Sequence, residues 1–383
     1  MNKQKTLFDN QRLTLQNAID LTLASLDHYG QRYPHWVTAY SGGKDSTATV
    51  TLIAWAINTH QITPPKTWTI LYSDTRQELP PLQQTAYQLL NTLQTQGHNT
   101  HIVTPPIPKR FYPYIIGRGV PPPKNDFRWC TPNLKIEPML TKLHDLYDQH
   151  NQKYLMITGV RLGESAIRDQ RIALSCSRDS GECGQGWFQQ TTDESITDTL
   201  APLLHWRLCH IYDWIYFEQP KHGYNVDGIA QIYGQGEVRT GCIGCNLVNR
   251  DTALERLIKQ PEWQHLRPLL NLKPLFRQLR QPKNRLRKTE PEPRKDGTYA
   301  QNIQRLGPLT MTARQHALQT VLDIQTQAQV DLINPDEEHY IRNAWTTNLW
   351  PNGWTGTEIT GDIPIPAKKI TTDGHIVTQA LLI

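Results

Sequence analysis

Along its first half the chain switches repeatedly between two apolar rhythms. Leu13, Leu15, Ala18, Ile19, Leu21, Leu23 and Leu26 recur at helical spacing between Leu13 and Tyr29. His35-Trp36-Val37-Thr38-Ala39-Tyr40 is a short continuous run of the kind that forms a buried strand, and a helical run follows from Asp45 to Asn58. Trp68 to Tyr72, His101 to Thr104 and Tyr154 to Thr158 read as further strands. Leu82 to Gln94 and the stretch opening at Leu134 read as helices. Strands alternating with helices predict an α/β fold built on a doubly wound parallel sheet.

From Pro105 to Pro132 the rhythm breaks into a long loop rich in proline and glycine. It interleaves Lys109, Arg110, Arg118, Lys124 and Arg128 with Phe111, Tyr112, Tyr114, Phe127 and Trp129. Cations among aromatics suit phosphate contacts and base stacking; a proline-stiffened lid is the alternative. After Arg250 the pattern turns helical and polar, with helices expected over Ala317 to Ile333 and Pro335 to Trp345 and strand and turn over Gly353 to Ile383. Lys273 to Lys295 is strongly basic, as a solvated linker or a phosphate-contacting segment would be. The expected division is an α/β domain with a cysteine-rich region over 1–250, followed by a basic, mainly helical extension over 251–383.

Composition narrows the class. The 383 residues are 38% hydrophobic and 20% charged, as expected of globular protein. No apolar run reaches the roughly 18–20 residues that span a bilayer, and the start lacks a signal-peptide core. We therefore expect a cytoplasmic protein with no membrane partner. A net charge of +5 permits a polyanionic partner. In such a compartment the 6 cysteines, with one C-x-x-C pair, point to metal or redox chemistry rather than disulfides.

The densest chemistry lies in Ser41-Gly42-Gly43-Lys44-Asp45-Ser46, between the first strand and its helix. A strand, a glycine turn and a helix N-terminus form an anion site, because unpaired N–H groups and the helix dipole both favour negative charge there. Gly42 and Gly43 allow close backbone approach to a phosphate, Lys44 adds a point charge, and Ser41 and Ser46 add hydroxyls; Asp45 opens the helix within the same catalytic group. The spacing excludes a Walker A loop. Asp74 and Thr75 follow the second strand, at the carboxyl end where ligands of open α/β sheets sit. Asp74 is thereby a candidate for Mg²⁺ or a nucleotide hydroxyl, or else a surface turn residue. Gly159-Val160-Arg161 follows the fourth strand, with Glu164 and Arg168 beyond it. Arg161 and Arg168 are the candidates for offsetting phosphate charge, a surface ion-pair cluster being the plainer reading.

The cysteines form a second constellation. Cys242-Ile243-Gly244-Cys245 carries the stronger signal, and Cys176 and Cys183 form a looser pair in a glycine-rich segment. Four thiolates from two pairs would hold zinc or an iron–sulfur cluster, and spacing does not separate the two metals. Cys130, beside Arg128 and Lys135, is expected to be a stabilised, reactive thiolate, or an alternative ligand in place of Cys176 or Cys183. Cys209 lies in an amphipathic stretch and is expected in the core.

S-G-G-K-D-S resembles the PP-loop of the ATP pyrophosphatases and sulfonucleotide reductases, an adenine nucleotide α-hydrolase-like fold. R-W-C-T with K-I-x-P, and G-V-R-x-x-E-S, look like signatures of the phosphoadenosine-phosphosulfate-reductase-like branch. With L-Y-S-D-T-x-x-E-L-P-P, G-R-G-V-P-P-P, G-E-C-G-Q-G, G-C-x-x-C and I-x-P-D-E-x-x-x-I, the set resembles the sulfurtransferases of DNA phosphorothioation systems, the DndC-type family. The resemblance runs from about residue 35 to about 345. It implies ATP and Mg²⁺ at Ser41 to Ser46, a [4Fe–4S] cluster, DNA as substrate, a cysteine desulfurase as sulfur donor and other phosphorothioation proteins as partners. The implied reaction adenylates a DNA phosphate and then displaces AMP by sulfur, carried on the cluster or as a persulfide on Cys130. In that family the cluster cysteines bunch near the C-x-x-C, whereas Cys176 and Cys183 lie upstream. Rival readings are a sulfonucleotide reductase, a tRNA thiolation enzyme and a nucleotide-sensing scaffold.

Overall fold

The computed structural model describes residues 13–379 apart from 165, 177–180, 183–185, 193–194, 226, 235–239, 291, 293–303 and 371–374. Two compact units emerge: Met1–Asp74 with Leu79–Thr104 and Glu137–Arg239, and Thr75–Glu78 with Pro105–Ile136 and Thr240–Ile383. The linear cut at residue 250 does not anticipate this grouping. The long loop after Thr104 packs with the C-terminal helices because its aromatic residues need an apolar partner that they find there.

The first unit opens with α1 (Leu15–Gly30), capped by Thr14, whose hydroxyl accepts from the Asn17 N–H. Then come β1 (His35–Tyr40), α2 (Lys44–Asn58), β2 (Thr67–Ser73), α3 (Pro80–Thr95), β3 (Asn99–Val103), α4 (Glu137–His150) and β4 (Tyr154–Ile157). After β4 follow α5 (Ala166–Cys176), β5 (Gly181–Glu182), β6 (Trp187–Gln189), β7 (Thr197–Ala201), α6 (Leu208–Asp213) and α7 (Asp227–Tyr233). The expected strands and helices form, in a seven-stranded sheet of order β3-β2-β1-β4-β7-β6-β5. The pairs from β3 to β7 are parallel, while β5–β6 and β6–β7 are antiparallel.

Strand periodicity of two explains the layers. Trp36, Tyr40, Trp68, Ile70, Tyr72, Leu155 and Ile157 point to one face, where they pack with Leu26, Val50, Ile53, Ala86 and Leu89 from α1, α2 and α3. Val37, Leu71 and Tyr154 point to the other face and meet Leu143 and Leu146 of α4. Within the first of these layers α2 buries even its threonines. It can do so because their hydroxyls return to its own backbone: Thr49 donates to Asp45 O at 2.9 Å and Thr51 to Thr47 O at 2.8 Å. Strand order reverses between β1 and β4, a topological switch point whose carboxyl-end crevice is the usual ligand position.

The second unit contains α8 (Thr252–Leu257), a 3₁₀ stretch (Pro261–Asn271), α9 (Leu272–Leu279), β8 (Arg285–Arg287), β9 (Leu306–Leu309), α10 (Met311–Ala328), α11 (Pro335–Thr346), β10 (Ala367–Ile370) and β11 (Ile376–Gln379). The segment at 273–287 is no solvated linker. Leu272, Leu275, Phe276 and Leu279 of α9 are buried, and Phe276 meets Phe111 at a ring distance of 5.4 Å. Phe111 also stacks on Trp129, so much of the aromatic surface expected to be free for stacking is core. Among the described residues, no helix is long and apolar enough to cross a membrane.

Candidate nucleotide site and cysteine group

The turn after β1 is cross-braced from within. Gly42 adopts φ +73°, a left-handed conformation that glycine takes without strain. Ser41 N–H donates to Ser46 Oγ at 3.3 Å, the two hydroxyls lie 3.0 Å apart, and Ser46 Oγ donates to Gly43 O at 3.0 Å. Gly43 caps α2 without any side-chain cap, so side chains leave the first N–H groups of the helix unclaimed.

Charge is arranged around Asp45. Its Oδ2 pairs with Lys44 Nζ at 2.6 Å and its Oδ1 with Arg161 Nε at 2.6 Å. All three side chains are mostly buried, and Lys44 also sits 5.2 Å from the centre of the Tyr233 ring. Arg161 arrives from the segment after β4. Gly159 makes that approach possible: an added Cβ would meet Thr49 Oγ1 at 2.9 Å and Ser46 N at 3.0 Å. Two cations sharing one carboxylate at a helix N-terminus leave a net positive site, suited to a polyphosphate.

The remaining predicted nucleotide residues are placed differently. Asp74 is buried and accepts from Tyr87 Oη at 2.7 Å and Gln83 Nε2 at 3.3 Å. Gln83 and Tyr87 stand four apart on α3, so helical spacing could have paired them with that strand end. Thr75 donates its hydroxyl to Glu78 at 2.7 Å. Arg168 pairs with Glu164 at 2.6 Å as a partly exposed i,i+4 couple and is not brought to Asp45. Tyr233 and Thr49 belong to no motif, and nothing in the sequence marked them.

In the second unit the structure gathers Cys130 with Cys242 and Cys245. Burial pushes the Cys242 thiol up to about 12; Lys135 opposes the shift, while Glu78, Cys245 and Cys130 add to it. Burial, then Cys245, also pushes Cys130 up. This reverses the expected stabilised thiolate. Arg128 is turned to Asn125, with contacts of 3.2 Å, and the field of Lys135 falls on Cys242. The C-x-x-C closes as a turn, Cys245 N–H donating to Cys242 O at 3.0 Å, and Ile243 N–H is anchored on Gln77 O at 2.8 Å. Beside it, the buried Lys273 ammonium and both Asn246 amide atoms have no hydrogen-bond partner among the described residues.

Cys176 closes α5 of the first unit, but its side chain and the whole of Cys183 lie outside the described residues. Among the described residues no three His, Cys, Asp or Glu groups converge on a single ion. Cys130, Cys242 and Cys245 lie within electrostatic range of one another, beside Lys273 and Asn246. Cys209 is exposed rather than core, because α6 turns His210 and Ile211 inward instead.

Comparison with known proteins bears on the whole arrangement. Two uncharacterized proteins of Methanocaldococcus jannaschii are 25% identical to the chain over 209 and 213 residues, which is 55% and 54% of this chain. The chain spans only 35% and 40% of their lengths. Among solved structures, phosphoadenylyl-sulfate reductase of Candida auris is 14% identical with a TM-score of 0.32, covering 56% of this chain and 95% of that one. The U34-tRNA thiolase of Methanococcus maripaludis, solved with its [4Fe–4S] cluster, is 12% identical with a TM-score of 0.35, covering 69% and 79%. Residues 35–247, more than half of the chain and the stretch from β1 through both braces of the phosphate loop to the C-x-x-C, match the phosphoadenosine phosphosulfate reductase domain. The chain belongs to that family, whose enzymes act on nucleotides and sulfur.

Proposed function

We propose that the chain is an ATP pyrophosphatase and sulfurtransferase that adenylates a nucleic-acid phosphate, that of DNA, and exchanges the adenylate for sulfur. The observation that carries this reading is the Asp45 bridge between Lys44 and Arg161 at the uncapped start of α2. An incoming triphosphate meets two cations already oriented and several backbone donors, which is what in-line displacement at phosphorus needs from a protein. A phosphate oxygen of the acceptor attacks the α-phosphorus, and pyrophosphate leaves as its charge is taken up by Lys44 and Arg161. Asp74 is the residue to hold Mg²⁺ or the ribose, by exchange with Tyr87 or Gln83. Hydrosulfide, released from the donor persulfide when a second thiol reduces it and becomes a disulfide, then forms the phosphorus–sulfur bond, and AMP departs with the electron pair of its bridging oxygen.

Cys130, Cys242 and Cys245 are the residues that would hold a [4Fe–4S] cluster, which would supply thiolate-bound iron able to take up sulfur. The partners of this reading are DNA, a cysteine desulfurase and further phosphorothioation proteins.

The test combines anaerobic protein, Mg-ATP, DNA, cysteine and a cysteine desulfurase, followed by mass analysis of the digested DNA. ATP-dependent phosphorothioate linkages are expected. Sulfur in tRNA bases instead of DNA would move the acceptor to RNA. The family match favours one second reading, reduction of an already activated sulfate. Release of sulfite from a sulfonucleotide without ATP would establish it and sink adenylation.

A further inference from the structure

The second unit contains a cavity of about 580 Å³ that neither the phosphate loop nor the cysteine group uses. Its walls come from the loop at 114–127, from the chain around Arg280 and Arg285, from β9 and from Trp354. Lys124, Arg280, Arg285 and Arg305 line it against a single carboxylate, Asp126. That carboxylate is paired with Lys124, and Arg305 is paired with Glu292 at 3.1 Å. Arg280 and Arg285 have no ion pair among the described residues.

Both arginines are nonetheless fixed. Arg285 Nε donates to Gly307 O at 2.9 Å and its Nη2 to Leu306 O at 3.0 Å, while Arg280 Nη1 donates to Pro123 O at 3.2 Å. Backbone carbonyls orient the guanidiniums without neutralising them. Burial, and then the charge of Arg280, brings Arg285 down to about 10; burial also lowers Arg280, against the attraction of Asp126, which Arg280 shares with Lys124. Two half-buried guanidiniums that repel each other are a site short of an anion. The apolar lining is also suggestive. Phe127 is 42% exposed, although the neighbouring Phe111, Tyr112 and Trp129 are buried. Prolines at 121, 122, 308 and 351 stiffen the walls around it.

We infer that this cavity binds one nucleotide unit of single-stranded nucleic acid, with its phosphate on Arg280 and Arg285 and its base against Phe127. The volume lies within the range of small-ligand pockets. A fork of fixed arginines beside an exposed ring is the combination by which single strands are held without sequence readout. The choice of ligand rests on the nucleic-acid reading above, but the pocket does not depend on ATP cleavage.

The test is anisotropy of a fluorescent oligothymidylate bound to the full chain, with duplex DNA, free thymidine monophosphate and inorganic phosphate as competitors. Arg280→Glu is expected to weaken the oligonucleotide at least tenfold, and Phe127→Ala about fivefold or more. Arg280→Ala should lower the salt slope of binding by about one. Arg285→Lys keeps the charge but loses the fork, and an intermediate loss is expected. If Arg280→Glu or Phe127→Ala binds like the parent protein, the pocket assignment is overturned. Duplex competing as well as single strand, or inorganic phosphate competing as well as the nucleotide, overturns the stacked base. Oligonucleotide binding that needs Arg280 and Phe127, in protein that never cleaves ATP, upholds the pocket and removes the adenylation reading. The reverse result, ATP-dependent sulfur transfer unaffected by either substitution, upholds the reading and removes the pocket.

Discussion

The phosphate loop and the cysteine group place their polar atoms in opposite ways. Around the loop, polar side chains are partnered inside the protein: Asp45 holds both Lys44 and Arg161, and the Ser41 and Ser46 hydroxyls hold each other. Around the cysteines, burial raises the Cys130 and Cys242 thiols, and Lys273 and Asn246 stand without hydrogen-bond partners. In the first site the charged side chains are paired as folded, and only the helix N–H groups stand open to a ligand. The second leaves buried polar groups that a bound group would satisfy, so its occupant should contribute to stability as well as chemistry.

Substitutions can break that contrast from either side. Lys44→Ala removes the charge that meets the leaving group. Loss of at least a hundredfold in pyrophosphate release is expected, read by resolving labelled nucleotides. Arg161→Ala should cost about as much, whereas Arg168→Ala should change turnover by about fivefold or less, because an exposed i,i+4 pair contributes at most about 1 kcal/mol. Equal losses at Arg161 and Arg168 would restore Arg168 to the loop.

On the cysteine side, Cys130→Ser, Cys242→Ser or Cys245→Ser should strip iron from anaerobically reconstituted protein at least tenfold and lower its melting temperature. Cys176→Ser should leave iron in place. Iron lost with Cys176 rather than Cys130 would return the ligand set to the one expected from sequence. A smaller effect is expected of Gly159→Ala. Its methyl group would press on Thr49 and on Ser46 N–H, and overpacking of this kind costs about 1–3 kcal/mol. Nucleotide binding should weaken about tenfold, measured by calorimetry.

The mildest probe is alkylation of metal-free protein. A thiol raised to about 12 is almost wholly protonated at neutral pH. Cys242 should therefore label at least tenfold more slowly than the exposed Cys209, and faster as pH rises. Equal rates at pH 7 would show that the Cys242 thiol is not raised.

The loop was legible in sequence because its braces lie within one short motif, between a strand and a helix that periodicity reveals. Arg161 was legible for a different reason. It follows β4, which pairs with β1 in parallel, so the two strands end on the same side of the sheet. Tyr233 was not legible, since a ring that receives Lys44 carries no spacing signal. The cysteine group was half legible: the C-x-x-C announced itself, but its association with Cys130 depends on the loop after Thr104 packing with α9, through Phe111 on Phe276. The aromatic residues of that loop were read as free for the same reason, because contacts between apolar residues distant in the chain leave no local trace. Cys209 was misread from the apolar rhythm of a stretch whose helix turns His210 and Ile211 inward and leaves Cys209 exposed.

The most direct measurement is the fate of Mg-ATP incubated with anaerobically purified protein, with and without DNA. Cleavage to AMP and pyrophosphate, stimulated by DNA and lost on Lys44→Ala, is the predicted result. ATP left intact under every condition, or cleaved to ADP and phosphate, would contradict adenylation at the phosphate loop.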